Sequence, residues 1–193
     1  MNSDLDVAEA KALLRKEIRA KRRGIGEAER KLASDLVAAK LMRLDRITGA
    51  KYVLSYMPMK YELDIAPANE LLKEQGVRVA YPLCVENGGL RLFVPAEENG
   101  FKVGAYGILE PDTETAEEIG ADELDAIILP AIGFDYKGRR LGQGGGYYDR
   151  LLARTDCFTA AVGFDCQLVA SVPVEQNDKT VDVVVTPGFT IVH

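Results

Sequence analysis

Histidine is almost absent from this sequence, and its scarcity narrows the chemistry open to the protein. Of the 193 residues one is a histidine, and it is the last residue, His193. A Ser-His-Asp triad, a Cys-His pair and a zinc site with histidine ligands are therefore disfavoured. Catalysis would have to use carboxylates, arginine, lysine, tyrosine, backbone dipoles or a bound metal.

Cysteines and long apolar runs are also scarce. The three cysteines, Cys84, Cys157 and Cys166, form no Cys-x-x-Cys pair. Such an odd, sparse set fits a reducing compartment better than a disulfide framework. No apolar run approaches the roughly 20 residues needed to span a bilayer, and the first residues lack the apolar core of a signal peptide. We therefore expect a cytoplasmic protein without membrane contacts.

The sequence lacks a net basic charge as well. Its formal charge is −6, which argues against nucleic-acid binding because nucleic-acid-binding domains are usually basic. The length is sufficient for one domain with a substantial core, and we find no repeat or linker. We expect residues 1–193 to form a single, monomeric domain that binds small molecules.

Apolar periodicity and turn signals predict alternating helices and strands. Helices are expected at residues 6–23, 27–44, 67–75 and 147–154. Strands are expected at 51–57, 77–83, 90–94, 124–129, 158–164, 181–185 and 189–192, with a hairpin turn at 87–89 and a loop at 97–120. This alternation indicates an α/β fold with helices on both faces of a mixed, mostly parallel sheet. In such sheets, ligands bind beyond the carboxyl ends of the strands.

The most informative stretch is LPAIGFDYKGRRLGQGGGYYDRLL, residues 129–152. It leaves an apolar strand, passes Arg139 and Arg140, and continues through the glycine loop, residues 142–146, into a helix. Glycines let the backbone approach a phosphate, a helix N-terminus attracts anions, and arginines donate paired hydrogen bonds to phosphate oxygens. The tyrosines that follow can stack on flat rings, and Asp149 can hold Mg²⁺. A tight turn would explain the glycines alone, but the combination favours a phosphate site.

The first helix carries a basic stripe. Four cations recur at spacings of four, four and three: Lys11, Arg15, Arg19 and Arg22. The stripe is either a solvated surface or a binding face for an anion, and its local charge, opposite to the global charge, favours an anionic ligand. Because these cations repel one another, we expect the helix to be mobile until phosphates bind.

These motifs together resemble the 5-formyltetrahydrofolate cyclo-ligase family, also called 5,10-methenyltetrahydrofolate synthetases. The segment FDYKGRRLGQGGGYYDRLL resembles the family signature, and the basic helix and residues 56–64, 107–111 and 172–186 follow the family order. The resemblance implies a three-layer α/β/α fold of the sugar-phosphate isomerase and CoA-transferase type. It also implies an ATP- and Mg²⁺-dependent reaction. The formyl oxygen of 5-formyltetrahydrofolate takes the γ-phosphoryl group, N10 attacks the activated carbon, and the 5,10-methenyl product, ADP and phosphate are released.

The resemblance also implies roles for individual residues. ATP would be bound by Lys11, Arg15, Arg140, Leu141, Gly142, Gln143, Gly144, Gly145, Gly146, Tyr147 and Tyr148. Folate would be bound by Met57, Glu62, Gln143, Gly144, Gly145, Gly146 and Tyr147. Catalysis would rest on Arg140, Tyr147 and Asp149, and Mg²⁺ would be held by Asp149 and Asp182. Departures from the family pattern are Gln143, Ile65 and Asn177, which concern folate affinity more than activity.

Other interpretations of these residues and of the function remain open. Asp149 also suits a helix start, Asp182 a strand end and Glu62 a solvated loop, whereas Tyr106 suits either the core or a stacked ring. A catalytically silent relative that binds nucleotide or folate would retain the same fold. A sugar-phosphate isomerase-like enzyme would share it too, because a fold does not determine function. That last alternative gives no reason for the basic helix and the tyrosine pair.

Overall fold

The computed structural model describes residues 2–85, 88–96, 100–104 and 109–193, with side chains described from residue 7 onward. Asn87 of the expected hairpin turn, and Tyr106, Gly107 and Ile108, lie outside these residues. The elements up to the middle of the chain are α1 (Asn2–Arg23), α2 (Glu27–Leu41), α3 (Asp45–Thr48), β1 (Tyr52–Leu54), α4 (Ala66–Glu74), β2 (Arg78–Cys84), β3 (Leu90–Val94), β4 (Phe101–Val103), β5 (Leu109–Pro111) and β6 (Glu117–Ile119). The later elements are β7 (Ala126–Pro130), β8 (Gly133–Asp135), β9 (Arg140–Leu141), α5 (Tyr147–Leu152), β10 (Phe158–Val162), β11 (Leu168–Val169), β12 (Val183–Val185) and β13 (Thr190–Val192).

Eight of these strands form one mixed sheet in the order β13-β12-β10-β7-β1-β2-β3-β6. The five strands from β12 to β2 run parallel to one another, and the three remaining strands pair antiparallel at the two edges. Buried strand residues alternate between the two faces: Ile128 packs with α2 and α4, whereas Ile127 packs with Leu151 of α5. The predicted α/β fold with a mostly parallel, mixed sheet covered on both faces is therefore confirmed.

Segment 97–120 differs from the prediction of a loop, because it contains β4, β5 and β6 in its described part. The sequence of β6, Glu-Glu-Ile, has little strand propensity of its own. It joins the sheet edge through ion pairs across strands: Arg78 pairs with Glu117, and Arg91 pairs with Glu118. Tertiary contacts therefore supply what local sequence does not. The second helix is also shorter than predicted and ends at Leu41.

A small three-stranded sheet has the order β11-β8-β9, and its strands β8 and β9 come between β7 and the glycine loop in the chain. Its turn is held by the fully buried Asp135, whose carboxylate accepts hydrogen bonds from the backbone N–H groups of Lys137, Arg139 and Val172. Burial alone would raise the pKa of Asp135, but these hydrogen bonds lower it below its usual value. Ile18 of α1 packs on this sheet with no exposed surface. The basic helix is thereby held beside the glycine loop.

In the described part of the chain, none of the helices has the length and apolar character that crossing a membrane requires.

Candidate active site

A cleft of about 480 Å³ opens beyond the carboxyl ends of the parallel strands. Residues at or just beyond the ends of three of these strands line the cleft: Tyr56 after β1, Cys84 at the end of β2 and Ala131 after β7. The glycine loop and α1 complete the walls. The position agrees with the rule that open α/β sheets bind ligands at this edge.

The glycine loop needs glycine at two positions. Gly144 has φ +110° and Gly146 has φ +66°, and residues that carry a side chain rarely adopt such backbone conformations. Gly146 precedes α5, so the chain turns sharply before the tyrosine pair. The Arg150 guanidinium fixes the loop by donating to the carbonyls of Gly88 and Gly145. The loop is therefore a constrained backbone segment along one side of the cleft.

Arg140 and Asp149 form an ion pair at the base of this loop. Arg140 is 6% exposed, and its Nη2 lies 2.7 Å from Asp149 Oδ1. Burial lowers the pKa of Arg140, and the negative charge of Asp149 opposes that shift. The Arg140 Nε is buried without a hydrogen-bond acceptor in the described chain. Because buried donors are normally satisfied, this atom is an open position for a ligand oxygen.

The opposite wall comes from α1. Lys11 Nζ lies 2.7 Å from Glu175 Oε2 and 2.6 Å from Asp178 Oδ2, and Arg15 Nε donates to the Gly142 carbonyl at 2.9 Å. Burial lowers the pKa of Lys11, but the hydrogen bonds and charges of Asp178 and Glu175 outweigh burial and raise it. Lys11 is therefore neutralised by two carboxylates, whereas Arg15 donates to a backbone carbonyl. Arg19 still lowers the pKa of Arg15 and of Arg22 by charge repulsion, and the mobility of the helix before phosphates bind stays a prediction.

Gln143 links the two walls at the mouth of the cleft. Its side-chain oxygen accepts from Arg19 Nη2 at 2.7 Å, and its Nε2 donates to Glu62 Oε1 at 3.0 Å. The other Glu62 oxygen accepts from the Met59 backbone N–H. Glu62 is thus oriented by two hydrogen bonds and is not a freely solvated loop acid.

The inner wall is largely apolar. Met57, Pro82, Leu90 and Leu109 line it together with the tyrosine rings. Burial raises the pKa of the Tyr148 hydroxyl and of the Tyr56 hydroxyl well above the usual value, so both remain neutral donors. This wall suits a flat organic ligand that carries a few polar groups.

All of the residues predicted to bind ATP or folate come together in this cleft. All of the following line the same cleft: Lys11, Arg15, Met57, Glu62, Arg140, Leu141, Gly142, Gln143, Gly144, Gly145, Gly146, Tyr147, Tyr148 and Asp149. Ile65, in contrast, is 1% exposed within the core, and Asn177 does not line the cleft. Neither of these two departures from the family pattern lines the cleft.

Asp182 does not join Asp149, and its assignment to the metal site needs correction. It lies at the start of β12, where its Oδ2 accepts from the Thr159 N–H and hydroxyl, both at 2.7 Å. The register places Thr159 beside Ile127, three positions before Pro130 at the cleft. At ~3.3 Å per residue this separates Asp182 from the cleft by roughly 10 Å along the strands.

Asp178 stands in the cleft instead. Asp149 Oδ1 accepts from the backbone N–H of Lys179 at 3.3 Å, so Asp149 lies beside the segment that carries Asp178. No cluster of three or more His, Cys, Asp or Glu side chains suited to a metal occurs in the described ranges. Two carboxylates can still hold Mg²⁺ when ligand phosphates complete its shell. Sequence reasoning missed Asp178 and Glu175, although both lie in the family-like segment 172–186.

Comparisons with known proteins identify the family of this chain. The sequence model of the 5-formyltetrahydrofolate cyclo-ligase family matches residues 7–187. The 5-formyltetrahydrofolate cyclo-ligase of Escherichia coli (strain K12) is 32% identical over 176 residues, covering 89% of this chain and 97% of that protein. The enzyme of the same name from Mycolicibacterium smegmatis is 32% identical, covering 95% of this chain and 96% of its own.

A solved structure is similar over nearly the same extent. The NMR structure of Aquifex aeolicus 5,10-methenyltetrahydrofolate synthetase superposes with a TM-score of 0.84 at 34% identity, covering 94% of this chain and 92% of that chain. The family model, the relatives and the solved structure therefore agree, and the chain belongs to the 5-formyltetrahydrofolate cyclo-ligase family.

Proposed function

We propose that this protein converts 5-formyltetrahydrofolate to 5,10-methenyltetrahydrofolate and couples the reaction to hydrolysis of ATP to ADP and phosphate. One observation carries the ATP part of this proposal. A constrained glycine loop and three cations, Lys11, Arg15 and Arg140, converge on one cleft that also has an apolar wall. This arrangement supplies both an anion site and a surface for a flat ring system.

The cationic side of the cleft suits the ATP phosphates. Phosphoryl transfer depends mainly on positioning and on neutralising the charge of the equatorial oxygens. Arg140 offers a buried donor that lacks an acceptor, and Arg15 lies within 2.9 Å of the loop backbone. Lys11 would exchange its contacts with Glu175 and Asp178 for phosphate oxygens. Its pairing with these two carboxylates keeps the buried ammonium satisfied.

Asp149 and Asp178 would hold Mg²⁺. Their carboxylates belong to adjacent segments, joined by the hydrogen bond from Lys179 to Asp149, and hard oxygen ligands are those that this ion prefers. Bound there, Mg²⁺ would neutralise charge on the phosphate oxygens. The Arg140 guanidinium, 2.7 Å from Asp149, would orient that carboxylate.

The apolar wall would hold the folate. Met57 and the tyrosine rings provide the flat contact surface, and Glu62, oriented by Gln143 and Met59, would accept hydrogen bonds from the pterin. The formyl oxygen would then lie beside the glycine loop, where its phosphorylation makes it a good leaving group. Attack of N10 on the same carbon would close the five-membered ring. Loss of the N10 proton and departure of phosphate would then leave the 5,10-methenyl product.

The proposal is tested by the absorbance of the methenyl product after protein, 5-formyltetrahydrofolate, Mg²⁺ and ATP are mixed. We expect absorbance that grows only when ATP is present, together with one ADP per product. Nucleotide binding without absorbance growth would instead identify a catalytically silent relative. Absence of both would contradict the proposed use of the glycine loop.

A further inference from the structure

A second cavity adjoins the mouth of the cleft. It has a volume of about 270 Å³ and shares Met59 and Gln143 with the main cleft. We call it the basic cavity; its other lining residues are Arg19, Arg22, Arg23, Lys60 and Tyr61. Four of these five side chains carry a positive charge, and none of the lining residues is an acid. This concentration of cations occurs in a chain whose formal charge is −6.

Arg22 is the distinctive member of the cavity. It is 6% exposed, yet its guanidinium makes no hydrogen bond or ion pair within the part of the chain that the structure describes. Burial lowers the pKa of Arg22, the charge of Glu62 opposes this, and the neighbouring Arg19 and Arg30 lower it further. The guanidinium lines the basic cavity, so its donors can pair there with the acceptor atoms of an anion.

The neighbours of Arg22 do not supply those acceptors. Arg19 donates to Gln143, and Glu62 is engaged by Gln143 and the Met59 N–H. Arg30 donates to backbone carbonyls and lies over the Tyr61 ring at 5.2 Å. Tyr61 itself has φ +71°, a backbone conformation that is uncommon for a residue other than glycine and that recurs at ligand sites.

We propose that the basic cavity is a second anion site, anchored by Arg22, that binds an oxyanion group, either carboxylate or phosphate. Arginine forks recognise both groups through paired hydrogen bonds, and Arg23 and Lys60 add charge at the rim. Two sources have this chemistry. One is free inorganic phosphate; the other is the γ-linked glutamyl carboxylates of the folate substrate, a source that rests on the proposed function.

Calorimetric titrations with inorganic phosphate and with tri-γ-glutamate, each added alone, test the site without requiring turnover. The variants are Arg22→Gln and the double variant Arg23→Ala/Lys60→Ala, whose two positions are exposed. Lys16→Ala is the matched control, because Lys16 is an exposed cation of α1 that lines neither cavity. We expect at least one probe to bind about tenfold more weakly to both variants and within about twofold of wild type to the control.

The probe that loses affinity identifies the source of the anion. Phosphate also meets cations in the main cleft, so only the binding that the double variant loses is assigned to the basic cavity. If Arg22→Gln fails to fold, the double variant decides alone. Equal weakening in Lys16→Ala, or no weakening in the double variant, would overturn the proposal.

A kinetic comparison then separates this proposal from the proposed function. If the glutamyl carboxylates are the ligand, the double variant should raise the KM for triglutamyl 5-formyltetrahydrofolate about tenfold. The KM for the monoglutamyl form and the kcat values for both substrates should change little. Wild-type protein that turns over neither substrate would contradict the proposed function, whereas the titrations would still decide on the anion site.

Discussion

The two ends of the parallel sheet use the same residue type in different ways. At the amino end, Asp125 accepts hydrogen bonds from the N–H groups of Lys51 and Tyr52, and Asp182 accepts from Thr159. These carboxylates satisfy the backbone where strands begin. At the carboxyl end, Asp149 and Asp178 contact the side-chain cations Arg140 and Lys11 inside a cleft.

The comparison shows which aspartates are available to a ligand. A carboxylate that already accepts from the backbone of a strand stabilises the fold and has little capacity left for a metal. A carboxylate paired with a side-chain cation in a cleft could exchange that partner for Mg²⁺, as proposed here for Asp149 and Asp178. Substitutions at the two ends should therefore separate activity from stability.

The largest effect is expected for Asp149→Asn. The variant keeps the size of the side chain but removes the charge that faces Arg140 and the proposed metal, so kcat should fall about 10²–10³-fold. Formation of the methenyl chromophore at saturating ATP measures this. Thermal unfolding of the same sample serves as the control, and a midpoint far below that of wild type would mean that the loss reflects misfolding.

A smaller effect is expected for Asp178→Asn. This variant removes one of the two proposed metal ligands and one of the two carboxylates that pair with Lys11. We expect the Mg²⁺ concentration for half-maximal activity to rise about tenfold, because the remaining carboxylate and the phosphates still bind the ion. An unchanged Mg²⁺ requirement would exclude Asp178 from the metal shell.

Asp182→Asn should reduce stability and leave activity nearly unchanged. Its carboxylate bonds Thr159 twice at 2.7 Å, and the amide replaces it only in part, so unfolding in urea should be easier by about 1 kcal/mol. Activity and Mg²⁺ dependence should stay within about twofold of wild type. A strong loss of activity from a folded Asp182→Asn protein would break the distinction between the two ends.

The smallest effect concerns the pH dependence of stability. The pKa of Lys11 is raised above its usual 10.5 in the folded protein. Its contribution is therefore complete below pH 10.5 and is lost as the pH rises through the higher folded value. Lys11→Gln should cost about 1 kcal/mol at neutral pH, and that difference should shrink in alkaline solution. Urea unfolding at several pH values measures it, with Lys16→Gln as the exposed control.

Local sequence was sufficient to predict the glycine-loop side of the site. Arg140, Gly144 and Asp149 lie within a few residues of one another, so their proximity follows from the chain itself. The confirmed sheet and family assignment rest on similarly local signals: apolar runs, turn residues and one long motif. Roles assigned to single residues of this loop remain predictions.

The α1 side of the cleft could not be predicted in the same way. Lys11 meets Asp178 across 167 positions in the sequence, and Asp178 and Asp182 lie four positions apart in the same family-like segment. Only the pairing of β12 with β10, which places Asp182 beside Thr159, distinguishes the positions of the two aspartates. The charged edge strand β6 was missed for a related reason, because Arg78 and Arg91 on other strands stabilise it.

The central claim is that Asp149 and Asp178 form a Mg²⁺–ATP site at the carboxyl end of the sheet. The most direct test of this claim is a measurement of metal binding. Mn²⁺ would replace Mg²⁺ and be titrated into protein saturated with ADP, with free Mn²⁺ followed by electron paramagnetic resonance. Wild type and Asp182→Asn should bind Mn²⁺ with equal affinity, and Asp149→Asn and Asp178→Asn should each bind it about tenfold more weakly. Weakened binding in Asp182→Asn alone would contradict the account.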